Sequence, residues 1–113
     1  MRLVLVDNDQ AALDLIELDL RLEGHEIVAT ATTGEAAIEL CAAHRPDVLV
    51  VDFRLGPGIN GIDVIRAIGP DGPRAVLFTN YVNPATVADA GRAGAVVVEK
   101  GNLNALRRAV ART

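Results

Sequence analysis

Short runs of branched apolar residues alternate along the whole chain with segments of helical length, and this alternation is the feature that most constrains the fold. The runs at residues 3–6, 26–30, 48–51, 75–78 and 96–98 predict five strands. Most of them are continuously apolar, which is typical of strands that are covered on both faces. Strands that alternate with helices lie parallel and are joined by right-handed crossovers. The sequence therefore predicts an α/β fold with a doubly wound, five-stranded parallel sheet.

The segments between the strands carry helix signals. We predict helices over residues 10–23, 33–44, 61–68 and 84–93, and a fifth that follows an Asn102 cap and ends at about residue 112. Gly24 stands where glycine commonly ends a helix. Thr32 and Glu35 have the spacing of a capping box at the start of the second helix. One helix thus follows each strand, which is the (βα)5 arrangement of flavodoxin-like folds.

Polar side chains follow the predicted strands at the point where each strand ends. Asp7, Asn8 and Asp9 follow the first strand, Asp52 the third, Thr79 the fourth and Lys100 the fifth. In an open parallel sheet the site lies beyond the carboxyl ends of the strands, near the point where the strand order reverses. With the strand order 2-1-3-4-5, the first and third strands are neighbours. We therefore expect these side chains to converge on one rim of the sheet.

These side chains together suit two kinds of chemistry, metal binding and phosphoryl transfer. Clustered carboxylates repel one another unless a cation neutralises them, and oxygen ligands that include one or two carboxylates suit Mg²⁺. A carboxylate can also attack phosphorus to form an aspartyl phosphate, and the Lys100 ammonium and Thr79 hydroxyl could contact the phosphoryl oxygens. Taken singly, Asp9 could simply cap a helix, and Thr79 and Lys100 could be ordinary strand-end and surface residues. Their joint placement favours a site.

Composition narrows the class of protein. The 113 residues are enough for one domain, residues 1–113, and not for two. The net charge of −4 and the aromatic content of 3% disfavour nucleic-acid binding. The chain has one cysteine, Cys41, and no apolar run near the roughly 18 residues that a membrane span needs. We therefore expect a cytoplasmic protein that binds neither nucleic acid nor a membrane.

Five stretches, each weak alone, form a specific pattern together: LVLVDND at residues 3–9, PDVLVVD at 46–52, NGIDV at 60–64, LFTNY at 77–81, and AGA at 93–95 leading to Lys100. With this pattern, nearly the whole chain resembles the receiver domain of bacterial two-component response regulators. The resemblance implies that Asp52 accepts a phosphoryl group from a histidine kinase or a histidine phosphotransfer domain, with Mg²⁺ as cofactor.

The same resemblance implies roles for the other rim residues. It places Asp7 in an acidic Mg²⁺ pocket, with the backbone carbonyl of Arg54 as a further metal ligand. It implies that Thr79 and Lys100 contact the phosphoryl group and report its presence. A domain of this kind catalyses its own phosphorylation and dephosphorylation, so we do not expect a dedicated enzyme.

The chain departs from the family pattern in ways that bear on metal binding and switching. The second of the two acids that the family usually has after the first strand is Asn8 here. Its amide oxygen can ligate Mg²⁺ but brings no charge, so we expect weaker Mg²⁺ binding, with Asp9 in partial compensation. The usual aromatic residue of the fifth strand is replaced by Val97 or Val98. We take Tyr81 as a candidate substitute, a mobile aromatic near the fourth-strand hydroxyl.

Other functions remain compatible with these residues. Asp7 and Asp9 also resemble the nucleophile motif of haloacid-dehalogenase-type phosphatases, although the chain is short for that class and no late acidic pair follows Lys100. A degenerate receiver that takes no phosphate and serves as a docking module is a further alternative, motivated by Asn8. A flavodoxin-like cofactor binder is disfavoured, because no glycine-rich phosphate loop follows the first strand.

The first predicted helix carries two apolar faces. Ala12, Ile16 and Leu20 form the expected core stripe, and Leu15, Leu18 and Leu22 lie about 100° away from it. We expect the fifth helix to cover these three leucines. The alternative is an exposed patch for a kinase, a phosphotransfer domain or a homodimer partner.

The chain ends with the fifth helix, so we expect a stand-alone receiver or a piece of a longer regulator, acting on an unknown downstream protein.

Overall fold

Five strands and five helices alternate in the computed structural model, which describes residues 1–112; Thr113, the end of the predicted domain, lies outside the described residues. The strands are β1 (Arg2–Val6), β2 (Glu26–Ala31), β3 (Val48–Val51), β4 (Arg74–Thr79) and β5 (Val96–Glu99). The helices are α1 (Gln10–Leu22), α2 (Gly34–His44), α3 (Gly61–Ile68), α4 (Pro84–Arg92) and α5 (Leu103–Ala111). The strands form one parallel sheet in the order β2-β1-β3-β4-β5, which confirms the predicted fold class and strand order.

The sheet is covered by helices on both faces, and this explains the continuously apolar strands. Leu3 and Leu5 of β1 pack in one cluster with residues of α1 and α5. Val4 and Val6, which alternate with them, pack in a second cluster with residues of α2, α3 and α4. The central strands bury both faces, so side chains on either side must be apolar. None of the helices within residues 1–112 combines the length and the apolar character needed to cross a bilayer.

The start of α2 differs from the predicted capping box. Thr33, not Thr32, caps the helix, and its hydroxyl accepts a hydrogen bond from a first-turn backbone N–H at 3.3 Å. The Glu35 carboxylate instead accepts a hydrogen bond from the backbone N–H of Ile59 at 3.3 Å. The backbone carbonyl of Thr32 accepts from the N–H of Gly56 at 3.0 Å. The loop between β3 and α3 thus lies against the start of α2 and binds the Glu35 carboxylate that the predicted capping box would need.

The prediction that α5 covers the second apolar face of α1 is wrong. Leu15, Leu18 and Leu22 are 57%, 59% and 76% exposed. Helix α5 points its buried residues toward the sheet instead, and it contacts α1 through an ion pair between Arg107 and Asp19. The three leucines therefore form an exposed stripe, which we call the α1 leucine stripe.

Candidate functional site

The neighbouring strands β1 and β3 bring Asp7 and Asp52 to the same rim of the sheet. The strands pair in register up to Val6 and Val51, the residues directly before the two acids. The backbone N–H of Asp52 donates to the carbonyl of Val6 at 3.0 Å, so the pairing continues into the site. Both carboxylates are buried, at 2% and 6% exposure. Two buried carboxylates side by side need a compensating positive charge.

Lys100 supplies that charge from the end of β5. Its Nζ lies 2.6 Å from Oδ2 of Asp7 and 2.7 Å from Oδ2 of Asp52. Burial disfavours the ammonium, but the hydrogen bonds and charges of Asp52 and Asp7 outweigh burial, so the pKa of Lys100 is raised above its ordinary value. Two carboxylates and one ammonium leave the cluster with one net negative charge. The pocket can therefore take a further cation.

The remaining carboxylate oxygens are held by backbone groups. Oδ1 of Asp7 accepts a hydrogen bond from the N–H of Asp9 at 2.9 Å, and Oδ1 of Asp52 accepts from the N–H of Phe53 at 2.7 Å. Each carboxylate thus has one oxygen oriented by its own loop and the other turned to the ammonium of Lys100. The orientation of both acids is fixed before any ligand arrives.

Thr79 lies at the end of β4, beside Lys100 in the sheet, and is fully buried. The backbone N–H of Lys100 donates to its carbonyl at 3.0 Å. Its hydroxyl oxygen accepts a hydrogen bond from the backbone N–H of Tyr81 at 3.1 Å. A hydroxyl that accepts in this way keeps its own proton as a donor. The structure therefore places a donor at the strand end where the sequence predicts one.

Asn8 and Asp9 are exposed on the loop after β1. Asp9 caps α1, and its carboxylate accepts a hydrogen bond from the N–H of Ala11 at 3.0 Å. Within residues 1–112, no three His, Cys, Asp or Glu side chains lie together as a metal-binding group. The donor set nevertheless fits Mg²⁺, because Asp7 and Asp52 converge and because this ion needs only one or two carboxylates besides neutral oxygens and water.

Gly61, the first residue of α3, packs directly against the backbone of Asp52. A Cβ atom at this position would collide with the backbone carbonyl of Asp52, and the N–H of Gly61 donates to the carbonyl of Phe53 at 2.8 Å. Asn60 and Asp63 form a capping box that starts the helix here. The sequence alone gives Gly61 no site role: the Asn-x-x-Asp spacing indicates the start of α3, but no local signal indicates the close contact with Asp52.

Three side chains of the loops that follow β3 and β4 form a contact group centred on Tyr81. The guanidinium carbon of Arg54 lies 4.5 Å from the ring centroid of Tyr81. The Tyr81 ring is tilted by 47° against that of Phe53, with the centroids 6.0 Å apart. The family resemblance implies a role for Arg54 only through its backbone carbonyl. The contact between its side chain and Tyr81 joins two loops that are distant along the chain.

Comparison with known proteins identifies the family of this chain. The family model described as the response regulator receiver domain matches residues 3–111. The chain belongs to this family. Receiver domains take phosphoryl groups from histidine kinases and act on downstream targets, and the family is generally Mg²⁺-dependent. Membership of the receiver family disfavours the phosphatase alternative.

Several relatives of this receiver domain are transcriptional regulatory proteins. The transcriptional regulatory protein AfsQ1 of Streptomyces coelicolor is 44% identical over 66 residues, covering 58% of this chain and 28% of that protein. PdtaR of Mycobacterium tuberculosis is 42% identical over 69 residues, covering 59% and 33%. This chain therefore spans about a third or less of these relatives. The solved receiver domain of the putative response regulator NarL from M. tuberculosis has a TM-score of 0.86 and 31% identity, covering 98% and 97% of the two chains.

Proposed function

We propose that this receiver domain accepts a phosphoryl group on the carboxylate of Asp52 from a phosphohistidine. One observation carries the proposal: Asp52 is buried beside Asp7, and the Lys100 ammonium lies within 2.7 Å of one oxygen of each carboxylate. A buried acid in contact with an ammonium at the carboxyl edge of a parallel sheet is placed for chemistry rather than for packing alone. The donor is a histidine kinase or a histidine phosphotransfer domain.

The transfer balances with the groups named. An oxygen of Asp52 attacks phosphorus, an oxygen–phosphorus bond forms, and the phosphorus–nitrogen bond to the donor imidazole breaks. The imidazole leaves with its electron pair and takes up a proton. Lys100 can follow the developing charge because it already contacts Asp52, and the buried hydroxyl of Thr79 can donate to a phosphoryl oxygen. Such transfers depend mainly on positioning and charge neutralisation.

The acidic pocket is the place for Mg²⁺ in this proposal. Asp7 and Asp52 would hold the ion together with the backbone carbonyl of Arg54, and Asn8 or Asp9 can add an oxygen from the loop after β1. The ion would neutralise negative charge on the carboxylates and on the phosphoryl oxygens. Asn8 brings no charge, so the affinity for Mg²⁺ should be weaker than with two adjacent acids.

The test is phosphorylation by a small acyl phosphate in the presence of Mg²⁺, followed by the intact mass. The wild type should gain the mass of one phosphoryl group, and Asp52→Asn should gain none, because its amide cannot form the acyl phosphate. Asp14→Asn is the matched control, since Asp14 is an exposed acid of α1 outside the site. Labelling of Asp52→Asn would contradict the proposal. No labelling of the wild type would favour the docking-module alternative.

The α1 leucine stripe is proposed as the docking surface for the protein that carries the phosphohistidine. Helix α1 begins directly after the loop that holds Asp7, and its exposed leucines lie between the second turn and the last residue of the helix. A donor whose imidazole reaches Asp52 covers the start of α1, and its surface can extend along the helix over these leucines. Exposed apolar patches next to a site typically mark protein contacts.

Replacing Leu18 and Leu22 by glutamate should slow phosphoryl transfer from a protein donor at least tenfold, since a loss of about 1.4 kcal/mol of docking energy is a factor of ten. Labelling by the small acyl phosphate should stay unchanged, and the melting temperature should fall little, because both side chains are more than half exposed. The measurement is the transfer rate from phosphorylated donor protein. Val87→Glu, which changes an exposed side chain of α4, is the control. Equal transfer rates for the wild type, the double leucine variant and Val87→Glu would exclude this docking surface. A large drop in the melting temperature of the double leucine variant would show that the leucines belong to the core.

A further inference from the structure

The loop after β3 and the loop after β4 are joined by two side-chain contacts, both of them to the ring of Tyr81. The guanidinium of Arg54 lies over the ring of Tyr81, 4.5 Å from its centroid, and the same ring packs at a tilt against Phe53. Arg54 follows Asp52 by two residues, and Tyr81 follows Thr79 by two. These contacts therefore connect the segments that directly follow the proposed phosphoryl acceptor and the proposed hydroxyl donor.

Tyr81 is also linked to the hydroxyl of Thr79. Its backbone N–H donates to that oxygen at 3.1 Å. A shift of Tyr81 changes the surroundings of the Thr79 hydroxyl, and a reorientation of that hydroxyl disturbs the backbone of Tyr81. Tyr81, which is 38% exposed, is thus linked through its backbone N–H to the buried hydroxyl of Thr79.

Arg54 has no acidic partner among residues 1–112: the ion pairs there involve Arg21, Arg66, Arg92, Lys100 and Arg107. Its contact with Tyr81 is a cation–π interaction at an exposed site, which is weak. A phosphoryl group offers a guanidinium two charge-assisted hydrogen bonds, which are much stronger. A phosphoryl group on Asp52 would also add nearly two negative charges at a position only two residues before Arg54.

We propose that Arg54 exchanges partners when Asp52 is phosphorylated: its guanidinium leaves the ring of Tyr81 and binds the phosphoryl group. The exchange releases Tyr81 and lets the hydroxyl of Thr79 turn to the same group. The β4–α4 loop then changes position, which carries the signal to the surface. This inference rests on the proposed function, because it needs the phosphoryl group on Asp52.

Strand β5 of this chain has no aromatic side chain that could respond to the phosphoryl group through Thr79. The exchange of Arg54 partners supplies such a response in the loop after β4. The strand carries Val97 and Val98, and neither side chain has an aromatic ring or a polar group that could respond to Thr79. Val98 is buried in the core cluster of α1 and α5. Tyr81 is the one tyrosine of the chain, and there is no tryptophan. Of the two phenylalanines, Phe78 is buried in the core and Phe53 packs against Tyr81. The exposed aromatic residue that follows β4 is Tyr81, and Arg54 contacts its ring.

The test is the proton NMR shift of the Arg54 δ-methylene, measured before and after phosphorylation of the full chain. Protons above an aromatic ring are shifted upfield, so these signals should lie upfield in the unphosphorylated protein. They should move to the value found in Tyr81→Leu, or to that of arginine in an unstructured peptide, once Asp52 is phosphorylated. Tyr81→Phe keeps the ring and should keep the upfield shift. The δ-methylene of Arg66, an exposed arginine of α3, is the internal control and should not move.

The intact mass of each NMR sample separates the two proposals. A sample that has gained one phosphoryl group while the Arg54 protons stay upfield overturns the exchange and leaves the proposed function intact. A sample that gains no mass overturns the proposed function, and the exchange with it. A shift of the Arg54 protons that also occurs in Asp52→Asn would overturn the exchange, because it would arise without the phosphoryl group.

Discussion

Lys100→Met is expected to lower the free energy of unfolding by about 3 kcal/mol, the cost of leaving buried charges without their partner. Asp7 and Asp52 are almost fully buried, and in this variant they face each other with no ammonium between them. The estimate is at the lower end for a buried pair because the side chain of Lys100 is still 18% exposed. Chemical denaturation at neutral pH measures the loss.

The charge origin of this loss can be separated from packing. Lys100→Met combined with Asp52→Asn removes one of the two repelling charges and should recover most of the stability. Arg21→Met, which breaks an exposed ion pair with Glu17 on α1, should cost only about 0.3–0.5 kcal/mol. The raised pKa of Lys100 also makes the stability of the wild type depend on pH. The contribution of Lys100 to the free energy of unfolding is complete below the ordinary lysine pKa, and it is lost as the pH rises through the raised pKa. Equal denaturation midpoints for Lys100→Met and Arg21→Met would show that the ammonium does not hold the cluster together.

Gly61→Ala is expected to destabilise the fold by about 2–3 kcal/mol, the upper part of the range for overpacking. The added methyl group meets the backbone carbonyl of Asp52 and approaches the side chain of Leu77, and neither the strand end nor the packed core can move aside cheaply. The displaced strand end carries the proposed acceptor, so labelling by an acyl phosphate should slow as well. Thermal unfolding and the labelling rate are the two measurements.

A second helical glycine gives the matched control. Gly91 lies in α4, and a Cβ atom there would meet nothing within 4 Å. Gly91→Ala should therefore stabilise the protein by about 0.5–1 kcal/mol through helix propensity alone, with labelling unchanged. If both substitutions had the same effect on stability, the close contact between Gly61 and Asp52 would not be a constraint.

The fold was predictable because several local signals agree. The apolar runs of the strands are short and continuous, breakers separate the elements, and the alternation of strand and helix leaves few topologies. Most boundaries of the elements fall within one residue of the prediction; β4, for example, runs from Arg74 to Thr79 instead of from 75 to 78. The convergence of Asp7 and Asp52 follows from the strand order, since the residue after a strand lies at the sheet rim.

Features that depend on contacts between distant segments could not be predicted. The choice of Thr33 over Thr32 as the cap of α2 depends on the β3–α3 loop, which contacts both Thr32 and Glu35. The exposure of the α1 leucine stripe depends on where α5 packs, and periodicity shows only that a helix has two apolar faces. The contact between Arg54 and Tyr81 joins residues 27 positions apart in the sequence, and no local pattern indicates it.

The most direct test of the central claim is to locate the phosphoryl group within the chain. The protein is phosphorylated with an acyl phosphate and Mg²⁺, the acyl phosphate is reduced with borohydride to give a stable alcohol, and the peptides are sequenced by mass spectrometry. We predict the reduced residue at Asp52, in the segment that follows β3. A reduced residue at Asp7 or Asp9 would contradict the account, because it would place the nucleophile on the loop after β1.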